Sequence, residues 1–405
     1  MMRCNVLFAQ KKCTLRRRSV SPMTQSDLVV TGSATPLATL LASAAKPPQL
    51  TEYRGSITPR ELDAPATEIE ALVSGAAVHD LGWMRRVAVR GDDRFRWLSG
   101  MVTNMVIDLA PDTGAWNLVL NAQGRIQGDL TIWREGDGLE LELSADQYDR
   151  LLAHLEHFII MDDVELIPLG MEPGGAETAL GLTGPLAGEV LGRMGLPTLP
   201  EAMTGTRVEW NGLNLRILRG YGALSPHYEL WTPAAGVTRL WRTMSTAGAT
   251  PVGKTALEAL RIAEGIPAYG IDMMERDLPQ ETSQTRALHF NKGCYLGQEI
   301  VERIRSRGNV HKHLRSLELE GPVPAVGTEL RLHSNKTGAA GIPAKSDDAA
   351  VGQITSAAEL PMSNGSRVFA LGMLRAEAET STKSLEYSVG TSVGIAQILA
   401  RLPNL

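Results

Sequence analysis

The sequence predicts an α+β protein, with two similar α+β units built on antiparallel sheets and a small C-terminal β-barrel. Three observations support this. A strand-like run at 179–182 turns at Gly184-Pro185 into a helix-like run at 186–194, and a comparable strand-to-helix passage recurs over 228–244. Leu139, Leu141 and Leu143 alternate with charged residues, the pattern of a strand with one covered face. Beyond Leu314 the texture changes to short alternating runs rich in Gly and Pro, as in a small barrel or sandwich. The 405 residues leave room for two or three cores, and 43% hydrophobic with 21% charged residues is a globular balance.

Taken in order, residues 1–35 read as a basic tail. Its first 26 residues carry Arg3, Lys11, Lys12, Arg16, Arg17 and Arg18 and no acid. That composition fits a mitochondrial transit peptide, and Met23 offers an alternative start. The body divides into an α+β region at 36–313 and a barrel at 314–405. Leu37, Leu40 and Leu41 have helical spacing before Lys46-Pro47-Pro48 breaks the run, and 68–75 is a second helix. A strand at 87–89 runs into the turn Gly91-Asp92-Asp93, and Phe95, Trp97, Leu98 and Met101 begin the next helix. Runs 116–120 and 130–133 form a hairpin across Asn121-Ala122-Gln123-Gly124. Residues 147–160 are helical. In the barrel, 317–319, 330–332 and 368–371 are strands, and 333–350 is a polar, Gly-rich loop.

Composition excludes several functions. A net charge of -5 disfavours a protein that grips a phosphate backbone, so no nucleic-acid partner is expected. Three cysteines without a CxxC offer neither a disulfide framework nor a zinc site, and no metal is assigned to this chain alone. No run of 18 apolar residues predicts a membrane helix. The stretch Gly248-Ala249-Thr250-Pro251-Val252-Gly253-Lys254-Thr255 satisfies G-x-x-x-x-G-K-[ST]. A phosphate loop needs a buried strand before it, however, and Val237, Leu240, Trp241 and Met244 have helical spacing. Magnesium-ATP binding there is a minor alternative.

The densest chemistry lies in Lys292-Gly293-Cys294-Tyr295-Leu296-Gly297-Gln298-Glu299. Leu296, Ile300, Val301 and Ile304 share one helical face, which predicts a helix starting near Cys294 or Tyr295. A thiol at a helix N-terminus, two residues from Lys292, would be shifted toward thiolate. Glu299 is placed to pair with Arg303 at i+4. Local physics equally allows a buried structural cysteine in a capped helix.

This octapeptide resembles the K-G-C-Y-x-G-Q-E signature of the YgfZ-type folate-binding proteins, within the superfamily of the glycine-cleavage T-protein (aminomethyltransferase). The resemblance continues in Leu260-Arg261-Ile262-Ala263-Glu264-Gly265-Ile266-Pro267, in Gly270-Ile271-Asp272 and in Leu278-Pro279-Gln280-Glu281. Upstream, 80–84, 89–92, 120–129 and 182–185 match in order; downstream, 351–356 and 370–372 match.

The resemblance implies a T-protein-like, three-lobed fold around a central channel for tetrahydrofolate, lined by Trp83, Asp129, Arg261 and Tyr269. Such a ligand needs an apolar or aromatic wall, hydrogen bonds to its polar edge and a cation for its carboxylates. By the same resemblance Cys294 is the functional thiol, and the chain is an accessory protein for assembly or repair of iron-sulfur clusters. It would act with client or scaffold proteins, in the cytoplasm, or in the mitochondrial matrix if the tail is a transit peptide. The alternative is folate-dependent aminomethyl transfer. Against it, Gly128-Asp129 stands where transferases carry Asp-Asp, and Ser225 stands where they carry glutamate. On residues alone, Arg261 could instead be a helix-surface ion pair, Trp83 ordinary core and Asp129 a partner of Arg125.

Overall fold

The computed structural model describes residues 32–170, 176–308, 310–332, 349–362, 365–379 and 384–405. The tail to residue 31 and the 333–348 portion of the polar loop lie outside the described residues. Strand β1 (Ser33–Ala34) leads into helix α1 (Pro36–Ala42), where the Thr35 hydroxyl accepts from the Ala38 amide and Pro36 presets the first turn. Strands β2 (Leu50–Tyr53) and β3 (Ser56–Pro59) form a hairpin on a two-residue turn, Arg54-Gly55, with φ of +51° and +78°. Helix α2 (Pro65–Val73) and strand β4 (Ala77–Asp80) follow.

The next two blocks repeat one order of elements: strand, helix, hairpin, strand, helix. The first comprises β5 (Met84–Arg90), α3 (Arg94–Met101), β6 (Thr113–Leu120), β7 (Ile126–Glu135), β8 (Gly138–Ser144) and α4 (Ala145–Glu156), with β9 (Glu165–Leu169) after it. The second comprises β10 (Glu177–Thr183), α5 (Ala187–Arg193), β11 (Thr204–Trp210), β12 (Leu213–Arg219), β13 (His227–Pro233) and α6 (Val237–Thr246), with the short β14 (Thr250–Pro251) after it. Their strands join edge to edge in one sheet, ordered β14-β4-β10-β13-β12-β11-β6-β7-β8-β5-β9. The seam is short: Thr204 pairs with Thr113, flanked by the Gly114 amide donating to Met203 O and the Gly205 amide to Asp112 O.

Each half-sheet buries one face under its own helices. Val87, Leu130, Ile132, Leu139 and Leu141 pack with Leu98, Leu151 and Leu155, while Val78, Leu180, Leu182, Ile217 and Leu230 pack with Val190, Leu240 and Met244. The opposite faces meet each other, where Leu81, Trp133, Ala179, Leu218 and Trp231 form a shared cluster. This corrects the reading of 139–143 as half-buried. Glu140 and Glu142 are as covered as their leucine neighbours, because the second half-sheet lies over them. Glu140 there receives both Arg86 and Arg216, and Arg86 also reaches Glu177 at 2.9 Å.

Helix α7 (Lys254–Ala263) leads through an irregular stretch to α8 (Gln298–Arg307). A closed six-stranded barrel follows, with β15 (Lys312–Glu320), β16 (Glu329–Leu332), β17 (Gly352–Met362) and β18 (Gly365–Arg375), then the short helix α9 (Ala376–Glu379), β19 (Leu385–Val389) and β20 (Ser392–Ile398). Leu317, Leu330, Ile354, Leu374 and Tyr387 fill it. The outer residues Leu360, Phe369 and Leu371 dock against Ile69 and Leu72 of α2 and Leu260 of α7. Among the described residues, no helix is long and apolar enough to cross a membrane.

Candidate functional site

The facing half-sheets part at one end to leave a cavity of about 270 Å³, roofed by α7 and residues 266–269. A second lobe of about 190 Å³ shares Asp129, Glu142, Tyr221, His227 and Glu229 with the first and extends to Trp116 and Arg286. Trp83, Asp129, Arg261 and Tyr269 all line the main lobe. The four residues proposed from the sequence resemblance therefore share one wall, although they come from four separate segments.

Their contacts differ from expectation. Trp83 is partly exposed to the cavity, its Nε1 donating to Asp80 O at 3.2 Å and its ring edge-on to Tyr53 at 5.3 Å. Asp129 is not paired with Arg125, whose guanidinium donates to Arg276 O. It accepts from Trp116 Nε1 at 2.9 Å and Gln147 Nε2 at 3.1 Å, and burial pushes its carboxyl upward against those bonds. Tyr269 lies under Arg150, 4.8 Å from ring centroid to guanidinium.

Arg261 faces the cavity with no N–H left for a ligand. Nε and Nη2 donate to the two Glu258 oxygens, Nη1 to Asp272 and Ile266 O, and Nη2 also to Ser356 Oγ. All five donors of the guanidinium are thereby satisfied. Arg261 is not the helix-surface ion pair of the alternative reading: its pairs with Glu258 and Asp272 are largely buried, and through them it braces the cavity wall. Burial alone would raise Glu258, but Arg261 beside it holds the carboxyl below its ordinary value.

Strand parity places further polar groups on the same inner face, and sequence reasoning passed over them. His79, Thr183, His227, Glu229 and Glu142 project between the half-sheets, each at least nine-tenths buried except His227. The Thr183 hydroxyl lies 2.9 Å from His79 Nε2 and 2.8 Å from His227 Nδ1, donating to one ring and accepting from the other. Burial, with His227 nearby, pushes His79 down to about 3, and burial lowers His227 too, so both rings are neutral near pH 7. Burial raises Glu229, and raises Glu142 well above the usual carboxylate range, with Glu229 adding to the rise. Glu142 therefore keeps its proton more readily than an ordinary carboxyl, with Glu229 beside it. Glu264 lines the cavity as well.

The loss of carboxylates inferred at 128 and 225 has a structural reason, but it does not leave the cavity without acids. A Cβ at Gly128 would lie 2.8 Å from Gln147 Oε1 and 3.1 Å from Leu151. The room for a side chain at 128 is already filled. Ser225 is buried, its hydroxyl donating to Leu72 O at 2.8 Å. Asp129, Glu142, Glu229 and Glu264 remain in the wall.

The signature octapeptide lies elsewhere, and none of its residues lines the cavity. The helix begins at Gln298, not near Cys294, so the helix-terminal field acts on Gln298 and Glu299. Lys292 does not serve the thiol either: its ammonium donates to Val102 O at 2.6 Å and Asn104 O at 2.7 Å, and burial lowers it to about 7. Tyr295 is buried against Leu118, Leu120, Ile126 and Val301. Gly297 has φ +81° and lies so close to the 121–124 turn that a Cβ would be 2.5 Å from Asn121 O. Gln298 Oε1 accepts from the Tyr295 amide at 3.2 Å, and Glu299 pairs with Arg303 at 2.6 Å as expected. Cys294 and Gly293 alone are exposed without such a role. The buried-cysteine alternative is therefore overturned.

The G-x-x-x-x-G-K-T stretch forms no phosphate cradle. Its Val252, Gly253 and Thr255 amides donate to Val78 O, to the Glu68 carboxylate and to Arg60 O. Among the described residues, no three or more His, Cys, Asp or Glu side chains are grouped to hold a metal ion.

Paired half-sheets around a polar cavity, backed by a barrel, define a T-protein-like fold. The structure matches glycine cleavage system aminomethyltransferase T from Bartonella henselae with a TM-score of 0.76 over 91% of this chain and 97% of that one, at 20% identity. Residues 49–292 match the family model described as the GCVT N-terminal domain, and the chain belongs to that family. An aminomethyltransferase of Rubrobacter xylanophilus is 28% identical over 67% of this chain and 73% of its own length. A chloroplastic protein of Arabidopsis thaliana, provisionally designated a transferase, is 24% identical over 83% of this chain and 73% of its own.

Proposed function

We propose that this chain binds tetrahydrofolate in the central cavity and serves, as a YgfZ-type protein, in assembly or repair of iron-sulfur clusters in client proteins. The observation that carries the binding reading is the convergence of Trp83, Tyr53, Tyr269, Asp129, Glu142 and Glu229 on one cavity. Aromatic rings offer faces for a flat heterocycle, and the carboxyl groups offer hydrogen-bonding partners for its polar edge, with Glu142 inclined by burial to keep its proton. The accessory reading is supported by the K-G-C-Y-L-G-Q-E stretch, whose Cys294 is exposed and outside the cavity wall, where a partner protein can reach it.

A second reading, folate-dependent aminomethyl transfer, has more direct support from the relatives, several of which are named aminomethyltransferases. Asp129 also favours it, as a carboxyl inside the cavity with its proton affinity raised by burial, suited to proton exchange with a bound ligand. Two assays separate the readings. In cells lacking this protein, Cys294→Ser is expected to fold normally and to leave iron-sulfur enzymes inactive; full rescue contradicts the accessory role. Turnover of a lipoyl-aminomethyl donor with tetrahydrofolate by the purified protein, lost in Asp129→Asn, would establish the transferase.

A further inference from the structure

Among the described residues, three arginines line the two lobes of the cavity: Arg54, Arg261 and Arg286. They differ in what their guanidinium groups have left to give. Arg261 has all five N–H groups committed to protein acceptors, as described above. Arg286 is clamped flat between Trp116 and Tyr221, 4.2 and 3.9 Å from their centroids, in the lobe that also holds Asp129. Its Nε donates to Gln284 Oε1 at 3.4 Å, and its charge lies near two acids of the cavity, Asp129 and Glu264.

Arg54 is different. It sits at the tip of the β2–β3 hairpin in a left-handed conformation (φ +51°), which a residue with a Cβ rarely adopts. The tip is held there from outside. The Asp146 amide donates to Arg54 O at 3.1 Å, and Gly55 approaches the start of α4 so closely that a Cβ would lie 2.7 Å from the Asp146 nitrogen. The guanidinium lies over the Tyr53 ring, 5.6 Å from its centroid, beside the Tyr53 hydroxyl. Its Nε is buried and has no hydrogen-bond partner. The acids near it are already engaged: Glu258 by Arg261 and the Tyr53 hydroxyl, Asp146 by the Ser144 hydroxyl, and Asp129 by Trp116 and Gln147. A buried cationic donor without an acceptor is costly unless something supplies one.

We infer that Arg54 is the receptor for a carboxylate on the tail of the cavity ligand. The inference rests on the tetrahydrofolate reading and deepens it. The heterocycle takes the aromatic and acidic inner wall, and the acyl-glutamate end leaves past the hairpin tip. There Arg54 supplies charge-assisted hydrogen bonds, and Arg261 holds the neighbouring wall in place.

The test compares tetrahydrofolate with 6-methyltetrahydropterin, which has the same heterocycle and no tail, by anaerobic calorimetry. Wild-type protein is expected to prefer tetrahydrofolate through the aminobenzoyl ring and the carboxylate together, the charge-assisted carboxylate contact accounting for on the order of 10- to 100-fold. Arg54→Gln is expected to cut that preference by on the order of 10- to 100-fold while binding the tail-less pterin as wild type does, which also shows that the variant is folded. Arg54→Lys, which keeps the charge, is expected to restore part of it. An unchanged preference in Arg54→Gln, or equal weakening of both ligands, overturns the inference while leaving the folate reading intact. So does a preference cut by Arg286→Gln instead. Failure of wild-type protein to bind either ligand overturns the folate reading, and this inference with it.

Discussion

Glu142 shows how much a single side chain in this fold depends on its surroundings. It stands in a run of alternating leucine and glutamate, and alternation marks the polar positions as solvent-facing. In the structure it is 3% exposed, beside Glu229. Burial raises the folded pKa of each carboxyl above its ordinary value of 4.5. The stability contributed by the protonated pair is thus complete below about pH 4.5 and is lost as pH rises through the raised folded values. His79 has the opposite sign: its contribution is complete above 6.5 and is lost as pH falls toward about 3. As pH rises above 4.5 the two contributions run in opposite directions, and the carboxyl pair is the one that loses stability. That loss should lower the melting temperature as pH rises through the raised carboxyl values in wild type, and lower it less in Glu142→Gln, which keeps a neutral group of the same shape. An equal fall in both would show that the pair is not protonated. Trp83, Asp129 and Tyr269 were legible because they lie in or beside matched motifs. Glu142, Glu229, His79 and His227 were not, because a polar residue facing a second sheet and one facing water leave the same periodic trace.

At the scale of elements, strand pairing determines what can stand opposite what. Gly181 of β10 is the register partner of His79 of β4, and a Cβ there would lie 1.9 Å from the His79 ring. The ring is wedged between its strand neighbour and Thr183 and cannot yield cheaply. Gly181→Ala should cost about 2 kcal/mol in urea denaturation, the usual scale of an overpacked core, and should disturb the His79–Thr183–His227 chain. A silent substitution would mean that the ring moves freely. Most elements were readable from periodicity and turn residues, including the repeated strand–helix passages and the hairpin across Asn121 to Gly124. The start of α8 was not. Its apolar face predicts a helix from Cys294, but Gly297 takes a left-handed conformation against the 121–124 turn and delays the helix to Gln298. That contact joins residues far apart in sequence, and no local pattern announces it.

Across the whole molecule, the barrel is tied to the cavity through Asp272. One carboxylate oxygen accepts from Thr355 Oγ1 at 2.6 Å and Ser356 Oγ at 2.7 Å, at the register shift in β17. The other accepts from Arg261 Nη1 at 2.7 Å and the Ala268 amide at 3.0 Å. Asp272→Ala would leave Arg261 short of a partner in a buried site, at a cost of about 3 kcal/mol in global stability. Tetrahydrofolate affinity should fall with it, since Arg261 and residues 266–269 form the cavity roof; unchanged affinity would mean that the roof holds without the barrel. The general architecture was legible in the sequence. That the two sheets are one, folded so that their inner faces enclose the site, was not, because the β6–β11 seam rests on a single residue pair.

The central claim is that this cavity holds tetrahydrofolate, and a tryptophan-fluorescence titration under anaerobic conditions tests it most directly. The account predicts saturable quenching that shrinks in amplitude in Trp83→Phe and weakens in affinity in Glu229→Gln, beside no response to magnesium-ATP. Absence of quenching together with no calorimetric heat, or binding indifferent to both substitutions, would contradict it.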